Sequence, residues 1–263
     1  MSGEELARPE ELARPHTGIV AGVPYVALPP TAADADPDGA PPLVLAWHGL
    51  WPPRTETAFA AAVPMTGLPC WRVYLRLPQG SPGGPRDGSD DESIVARAAG
   101  QAPALAAALR DLLGLEPGPV GLIGFSLGAG AALRTLARRE LAVAAAALIA
   151  PLPPGEFPAE DVAVQDPALL LVGGGNDDSV QPSELAAMRD RLRTAGVSDV
   201  ELAIFRMGHA LAAQPGTEAR PQIAEAISVD AAVTGWFRDH LGIRPRGLSD
   251  PAPRAATQAS ART

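Results

Sequence analysis

Val-Gly-Leu-Ile-Gly-Phe-Ser-Leu-Gly-Ala-Gly-Ala-Ala-Leu, at residues 120–133, joins an apolar run to a series of small residues. The apolar run is typical of a strand buried on both faces, and the small residues favour the start of a helix. Between them, Gly124-Phe125-Ser126-Leu127-Gly128 matches the pattern G-x-S-x-G. The two glycines lack the Cβ atoms that would clash in a sharp strand-to-helix turn. The stretch therefore predicts such a turn with Ser126 at its apex, where this motif places a nucleophilic serine.

The chain on both sides of this turn alternates apolar strand patterns with helical patterns. Strands are predicted at 43–46, 71–75, 120–125, 143–149, 168–172 and 200–205, after an opening hairpin at 18–28. Helices are predicted at 57–63, 93–113, 127–139, 182–195 and 223–240. This alternation favours an α/β fold with a doubly wound, mostly parallel sheet covered by helices on both faces. We expect a single domain over residues 17–243.

The composition excludes several classes of partner and site. The formal net charge is −9 and the sequence pI is about 4.9. This acidic balance argues against binding to nucleic acid or to an anionic membrane surface. The single cysteine, Cys70, cannot form an intramolecular disulfide or a four-cysteine zinc site. Since no H-E-x-x-H pattern or similar ligand spacing is present, we expect neither a metal site nor a cofactor.

The two ends of the chain are predicted to lie outside the globular domain. Residues 1–16 contain Glu-Glu-Leu-Ala-Arg-Pro twice, at 4–9 and 10–15. Two copies are too few for a repeat fold, so we expect a flexible arm, with a docking arm for a partner as the alternative. Residues 244–263 have little apolar content and predict a disordered tail. The start of the chain has no apolar signal segment, which predicts a cytoplasmic protein.

A serine hydroxyl needs a neighbouring base before it becomes a good nucleophile. Two histidines, His209 and His240, follow Ser126 in the chain. His209 comes after the strand predicted at 200–205, and doubly wound sheets place their sites at that end of the strands. His240 ends a predicted helix, where the helix dipole already favours an imidazole. Of these two, His209 is the predicted base, and His240 is expected to be a structural residue.

The base needs a carboxylate that fixes its tautomer and stabilises the imidazolium ion. Residues 169–180 run from a predicted buried strand into a glycine-rich turn that contains Asp177 and Asp178. Adjacent residues rarely both face one histidine, so one of the two is expected to be the acid. The other carboxylate could cap the helix predicted at 182–195.

Together these residues resemble the α/β-hydrolase superfamily over about residues 17–243. Within it, the chain is similar to the group of carboxylesterases, lysophospholipases and dienelactone-hydrolase-like proteins. The segment from Asp177 through the helix at 182–195 to Gly208-His209 carries that resemblance. It implies the α/β-hydrolase fold, and the short segment 150–167 implies little or no lid.

The resemblance also implies roles for individual residues. The superfamily order of serine, acid and histidine agrees with His209 as the base. The family's acid loop has Gly-x-x-Asp with an apolar residue three positions after the Asp, which favours Asp177, followed by Val180. Dienelactone hydrolases proper use a cysteine nucleophile, whereas this motif has Ser126. Cys70 is instead expected to be a small core residue.

The superfamily's oxyanion hole is expected at two backbone N–H groups. One belongs to Leu127, the residue after the nucleophile. The other is implied by Trp47-His48-Gly49-Leu50-Trp51, which resembles the His-Gly dipeptide of the superfamily and assigns the N–H of Leu50. His48 precedes Ser126, so it is expected to organise this loop rather than to act as the base.

The predicted substrate-lining residues are Trp51, Phe125 and Phe157. For Phe125, as for Trp47, packing in the core is an equally good explanation. The predicted function is hydrolysis of a small-molecule carboxylic ester or thioester through an acyl-enzyme intermediate. The alternatives are a thioesterase, acyltransferase or cyclisation enzyme of natural-product biosynthesis with the same triad, and a non-catalytic binding protein on this fold.

Overall fold

A computed structural model describes residues 14–31, 41–78, 90–152 and 157–241. Within these ranges one sheet has eight strands in the order β1-β2-β4-β3-β5-β6-β7-β8. The strands are β1 His16–Val20, β2 Val23–Leu28, β3 Leu43–Trp47, β4 Trp71–Leu75, β5 Val120–Phe125, β6 Val143–Ile149, β7 Ala168–Gly174 and β8 Val200–Phe205. The opening hairpin is antiparallel and β2 pairs antiparallel with β4, while all pairings from β4 to β8 are parallel. The predicted mostly parallel sheet is confirmed.

Helices cover both faces of the sheet. They are α1 Glu56–Ala62, α2 Asp91–Leu113, α3 Leu127–Arg138, α4 Ala159–Ala163, α5 Pro182–Ala195 and α6 Ala224–His240. One hydrophobic cluster contains side chains from α2 to α5, and a second contains side chains from α1 and α6. In β5, Leu122 belongs to the first cluster and Ile123 to the second, because successive side chains of a strand point to opposite faces. The sheet is therefore doubly wound, as predicted.

The observed element bounds agree closely with the patterns in the sequence. The strands at 71–75, 120–125, 143–149 and 200–205 and the helix at 182–195 have the predicted bounds. Strand β7 continues two residues further than predicted, to Gly174, because its last two residues still pair with Ile204 and Phe205 of β8. The short helix α4, inside the segment 150–167, was not predicted.

Several predictions concern residues outside the described ranges. Residues 1–13 of the predicted arm and all of the predicted tail at 244–263 lie outside the described residues. The same is true of residues 79–89 and of residues 153–156, which belong to the segment where a lid would be inserted. Within the described ranges, no helix combines the length and the hydropathy needed to cross a bilayer.

Candidate active site

Ser126 lies at the apex of the turn between β5 and α3. Its φ of 54° and ψ of −119° are strained for a residue with a side chain. A Cβ atom on Gly128 would lie 2.2 Å from the carbonyl oxygen of Trp47, and one on Gly124 would lie 2.2 Å from the carbonyl oxygen of Gly128. Both approaches are far shorter than van der Waals contact, so both positions require glycine. The surrounding backbone thereby holds Ser126 in its strained conformation.

The His209 ring connects Ser126 to Asp177 through two hydrogen bonds. His209 Nδ1 lies 2.8 Å from Oδ2 of Asp177, and His209 Nε2 lies 2.9 Å from Oγ of Ser126. An ionised carboxylate only accepts, so Nδ1 carries the proton of the neutral ring. Nε2 is then free to accept the proton of the Ser126 hydroxyl. All three residues are buried.

Asp177 is held in place by its own backbone neighbours. Its Oδ1 accepts hydrogen bonds from the N–H groups of Ser179 at 2.8 Å and Val180 at 2.9 Å. Its side chain is fully buried, whereas Asp178 is exposed. The structure therefore pairs Asp177, not Asp178, with His209.

The loops after β7 and β8 run side by side and bring Asp177 to His209. Gly175 N–H donates to the carbonyl of Phe205 at 2.7 Å, and Asn176 N–H donates to the carbonyl of Met207 at 2.9 Å. A Cβ atom on Gly174 would lie 2.4 Å from the carbonyl oxygen of Met207. The glycines of the turn thus allow a close approach between two backbones that each carry one of the paired side chains.

The two N–H groups predicted to form the oxyanion hole belong to segments that adjoin Ser126. Leu127 begins α3, and N–H groups in the first turn of a helix have no acceptor within the helix. Leu50 follows Gly49, on which a Cβ atom would lie 2.8 Å from Cβ of Ser126. The oxyanion-hole role of Leu50 and Leu127 remains a prediction.

A contact between two loops near the site was not predicted from the sequence. Leu211 N–H donates to the carbonyl of Pro52 at 2.9 Å, and Arg54 N–H donates to the carbonyl of Gly216 at 2.7 Å. In addition, Thr55 Oγ donates to the carbonyl of Thr217 at 2.9 Å. These bonds tie the loop that follows β3 to the segment that follows His209. All three acceptors are backbone carbonyls, so no residue type marks the contact in the sequence.

The three predicted substrate-lining residues occupy different environments. The Trp51 side chain is half exposed, and its ring lies perpendicular to the His209 ring at a centroid distance of 5.9 Å. Phe125 is fully buried with its ring centroid 5.4 Å from that of His209. Phe157 is buried in the first hydrophobic cluster under the guanidinium of Arg191, 4.6 Å from the ring centroid. The structure therefore brings Trp51 and Phe125, but not Phe157, into contact with His209.

The residues predicted to be structural are found in structural environments. His240 stacks on Trp236, and its two ring nitrogens bind the Trp236 carbonyl and Asp199. Cys70 is buried in the second hydrophobic cluster, and this burial raises the pKa of its thiol to about 12. A thiol with so high a pKa is a poor nucleophile. Trp47 is fully buried, so its ring belongs to the core.

No cluster of His, Cys, Asp and Glu side chains suited to a metal ion occurs among the residues that the structure describes.

Solved structures with the same fold are similar to this chain. Bacillus cereus carboxylesterase is 17% identical over 83% of this chain and 95% of its own, with a TM-score of 0.62. The Pyrococcus furiosus esterase PF2001 is 15% identical over 90% of this chain and 95% of its own, with a TM-score of 0.60. Esterase PE8 is 24% identical over 80% of this chain and 97% of its own, with a TM-score of 0.56.

No curated protein matches the sequence. The family model for the dienelactone hydrolase family matches residues 89–241, which is more than half of the chain and includes Ser126, Asp177 and His209. The sequence and the architecture thus agree with each other and with the predicted resemblance. The chain belongs to the dienelactone hydrolase family, has the α/β-hydrolase fold and is a hydrolase with a serine nucleophile.

Proposed function

We propose that the chain hydrolyses a small-molecule carboxylic ester or thioester, with Ser126 as the nucleophile, His209 as the base and Asp177 as the acid that orients it. The observation that carries the proposal is the unbroken chain of hydrogen bonds between these residues, 2.9 Å from Ser126 Oγ to His209 Nε2 and 2.8 Å from His209 Nδ1 to Asp177 Oδ2. This order of groups is what a serine nucleophile needs.

The reaction proceeds through an acyl-enzyme in two halves. Ser126 Oγ attacks the carbonyl carbon of the ester while its proton passes to His209 Nε2. The tetrahedral intermediate then collapses, and the leaving alkoxide takes that proton and departs as the alcohol. In the second half, a water molecule gives its proton to His209 and attacks the acyl group on Ser126. Collapse of this intermediate releases the carboxylic acid and returns the proton to Ser126 Oγ.

The negative charge that develops on the carbonyl oxygen is stabilised by the N–H groups of Leu50 and Leu127. Leu127 N–H lies at the positive end of the α3 dipole. Leu50 follows Gly49, whose backbone packs against Ser126. Donors fixed by the fold lower the barrier because they need no reorganisation when the charge appears.

The exposed residues beside the site favour a substrate with an apolar group. Leu50 and Trp51 are adjacent in the chain and remain about half exposed, although large apolar side chains are usually buried. Trp51 also contacts the His209 ring. An alkyl or aryl group of the ester would cover this surface and gain hydrophobic free energy. Phe125 lies behind His209 and supports its ring from the buried side.

A fluorophosphonate probe tests the proposed nucleophile, because it reacts covalently with an activated serine. We expect labelling of the wild-type protein and none of Ser126→Ala. Ser228→Ala, which changes an exposed serine on α6, is the matched control and keeps full labelling. Hydrolysis of p-nitrophenyl esters by Ser126→Ala should fall by at least about 10³-fold.

A second pair of variants tests the base. His209→Ala should lose hydrolysis, whereas His240→Ala, whose ring binds Asp199 and stacks on Trp236, should retain it. Labelling of Ser126→Ala, or hydrolysis by His209→Ala at the wild-type rate, would contradict the proposed roles. Analysis of the products in the presence of alcohols or thiols separates hydrolysis from acyl transfer.

A further inference from the structure

His48 forms two buried hydrogen bonds that fix its protonation state. Its Nδ1 lies 2.8 Å from the carbonyl oxygen of Gly49, and the N–H of Leu77 lies 3.2 Å from its Nε2. A carbonyl only accepts, so Nδ1 carries a proton, and an N–H only donates, so Nε2 carries none. His48 is therefore neutral, with its proton on Nδ1. Burial agrees with this state, since it lowers the pKa of His48.

The bond to Gly49 determines where the next N–H group points. In a planar trans peptide, the carbonyl of one residue and the N–H of the next residue point in opposite directions. The Gly49 carbonyl points toward the His48 imidazole, so the Leu50 N–H points away from it. Gly49 itself packs against the nucleophile, since a Cβ atom on it would lie only 2.8 Å from Cβ of Ser126.

From this geometry we propose that His48 is a positioning residue, which holds the Gly49–Leu50 peptide so that the Leu50 N–H faces the oxyanion formed at Ser126. The proposal rests on the proposed function, because it needs an oxyanion at Ser126. It assigns to His48 an effect on the rate of the chemical step, without any contact between His48 and the substrate.

The surroundings of His48 keep its ring fixed. Leu77, whose N–H donates to Nε2 of His48, is the residue after Arg76. The Arg76 guanidinium binds both carboxylate oxygens of Glu56, at 3.0 and 2.6 Å. Glu56 begins α1 and Arg76 follows β4, so these two charged groups face His48 from two different elements. Their opposite charges act on the pKa of His48 in opposite directions. The ring thus connects the end of β4 to the loop that carries Leu50.

Two amide substitutions separate the two hydrogen bonds of His48. In His48→Asn, the amide nitrogen is attached to Cγ, like Nδ1 of histidine, so it can still donate to Gly49 but cannot reach Leu77. In His48→Gln, the amide is attached to Cδ, so its oxygen can accept from Leu77 while the donor to Gly49 is lost. A residue that only fills the core would respond similarly to both changes.

We expect a difference in kcat between these variants with little change in KM. For p-nitrophenyl acetate, kcat of His48→Gln should fall by about 10²-fold, the usual effect of losing one oxyanion donor. His48→Asn should stay within about 10-fold of the wild type, and KM of both variants within about 3-fold. The rate of fluorophosphonate labelling should fall in parallel with kcat, because the phosphonyl oxygen occupies the same hole.

The proposal is overturned if the two variants have equal kcat, or if His48→Gln is the more active. If neither variant folds, ¹⁵N NMR of the wild-type imidazole decides, since a proton on Nε2 at neutral pH would exclude the assigned bond to Gly49. Failure of the proposed function has a different signature, which is the absence of hydrolysis and of Ser126 labelling in the wild-type protein itself.

Discussion

Asp177 binds His209 with one carboxylate oxygen and two backbone N–H groups with the other, at distances of 2.8 to 2.9 Å. Rotation of the carboxylate would break all three hydrogen bonds, so its orientation is fixed before any substrate arrives. His209 is consequently held with its protonated nitrogen toward Asp177 and its free nitrogen toward Ser126. The neighbouring carboxylate, Asp178, is exposed and takes no part in this arrangement.

Asp177→Asn should lower kcat for ester hydrolysis by about 10³- to 10⁴-fold. The asparagine amide can donate to Nδ1 of His209, which would place the proton on Nε2 and remove the base. Asp178→Asn makes the same chemical change at an exposed position and should stay within about 2-fold of the wild type. Steady-state kinetics on one p-nitrophenyl ester measure both effects. An equal loss of kcat in the two variants would contradict the role of Asp177 as the carboxylate that orients His209.

Gly128→Ala should destabilise the fold by about 3 kcal/mol, because its methyl group would overlap the carbonyl oxygens of Trp47 and His48. Gly235→Ala is the matched change inside helix α6, where the added methyl group meets nothing within 4 Å. Alanine has the higher helix propensity, so this variant should gain about 0.5–1 kcal/mol. Thermal unfolding followed by circular dichroism compares them, and a lower Tm for Gly235→Ala would contradict the expectation.

Trp51→Ala should lower kcat/KM for p-nitrophenyl hexanoate about 10-fold more than for p-nitrophenyl acetate. The longer acyl chain loses the apolar surface of the half-exposed indole, whereas the acetyl group is too short to cover it. Ile204→Ala is the control, since Ile204 is similarly exposed but lies on strand β8. An unchanged ratio between the two esters in Trp51→Ala would place the acyl chain elsewhere.

Glu56→Gln should lower the free energy of unfolding at pH 7 by about 1–2 kcal/mol. Burial by itself would raise the pKa of Glu56, but hydrogen bonds from Arg76 and the backbone, together with the Arg76 charge, hold it below its ordinary value. A depressed pKa in the folded state adds stability above the unfolded pKa, about 4.3, and that stability is lost as pH falls below it.

Urea unfolding of the wild type and of Glu56→Gln, at pH 7 and at about pH 3, checks this sign. The difference between the two proteins should be large at pH 7 and should shrink at acid pH. Glu92→Gln removes a carboxylate from an exposed ion pair with Arg134 and should have almost no effect at either pH. A difference for Glu56→Gln that grows toward acid pH would contradict the assigned direction.

The local parts of the structure could be predicted because their signals are local. The turn at Ser126 needs glycine at two fixed positions, and it lies between the apolar run of β5 and the small residues that begin α3. The position of His209 could also be predicted, because side chains that follow parallel strands gather at one edge of the sheet. The choice between Asp177 and Asp178 depends on the register of the glycine-rich turn. That register comes from the resemblance to the family's acid loop and not from a local signal.

Features that depend on backbone contacts over long sequence distances could not be predicted. The bonds between residues 52–55 and 211–217 use backbone carbonyls, which every residue offers equally. Helix α4 has five residues and follows Pro158, too short a stretch for helical periodicity to stand out. The packing of Phe157 under Arg191 is likewise a tertiary contact without a local pattern in the sequence.

The three hydrogen bonds between residues 52–55 and 211–217 have a consequence for engineering the substrate range of this enzyme. A loop transplanted after β3 from another hydrolase would arrive without partners for Pro52, Arg54 and Thr55. The second segment follows His209 directly, so a mismatched graft would also disturb the ring that faces Ser126. The two segments therefore form one interchangeable unit, and a successful chimera has to exchange both together.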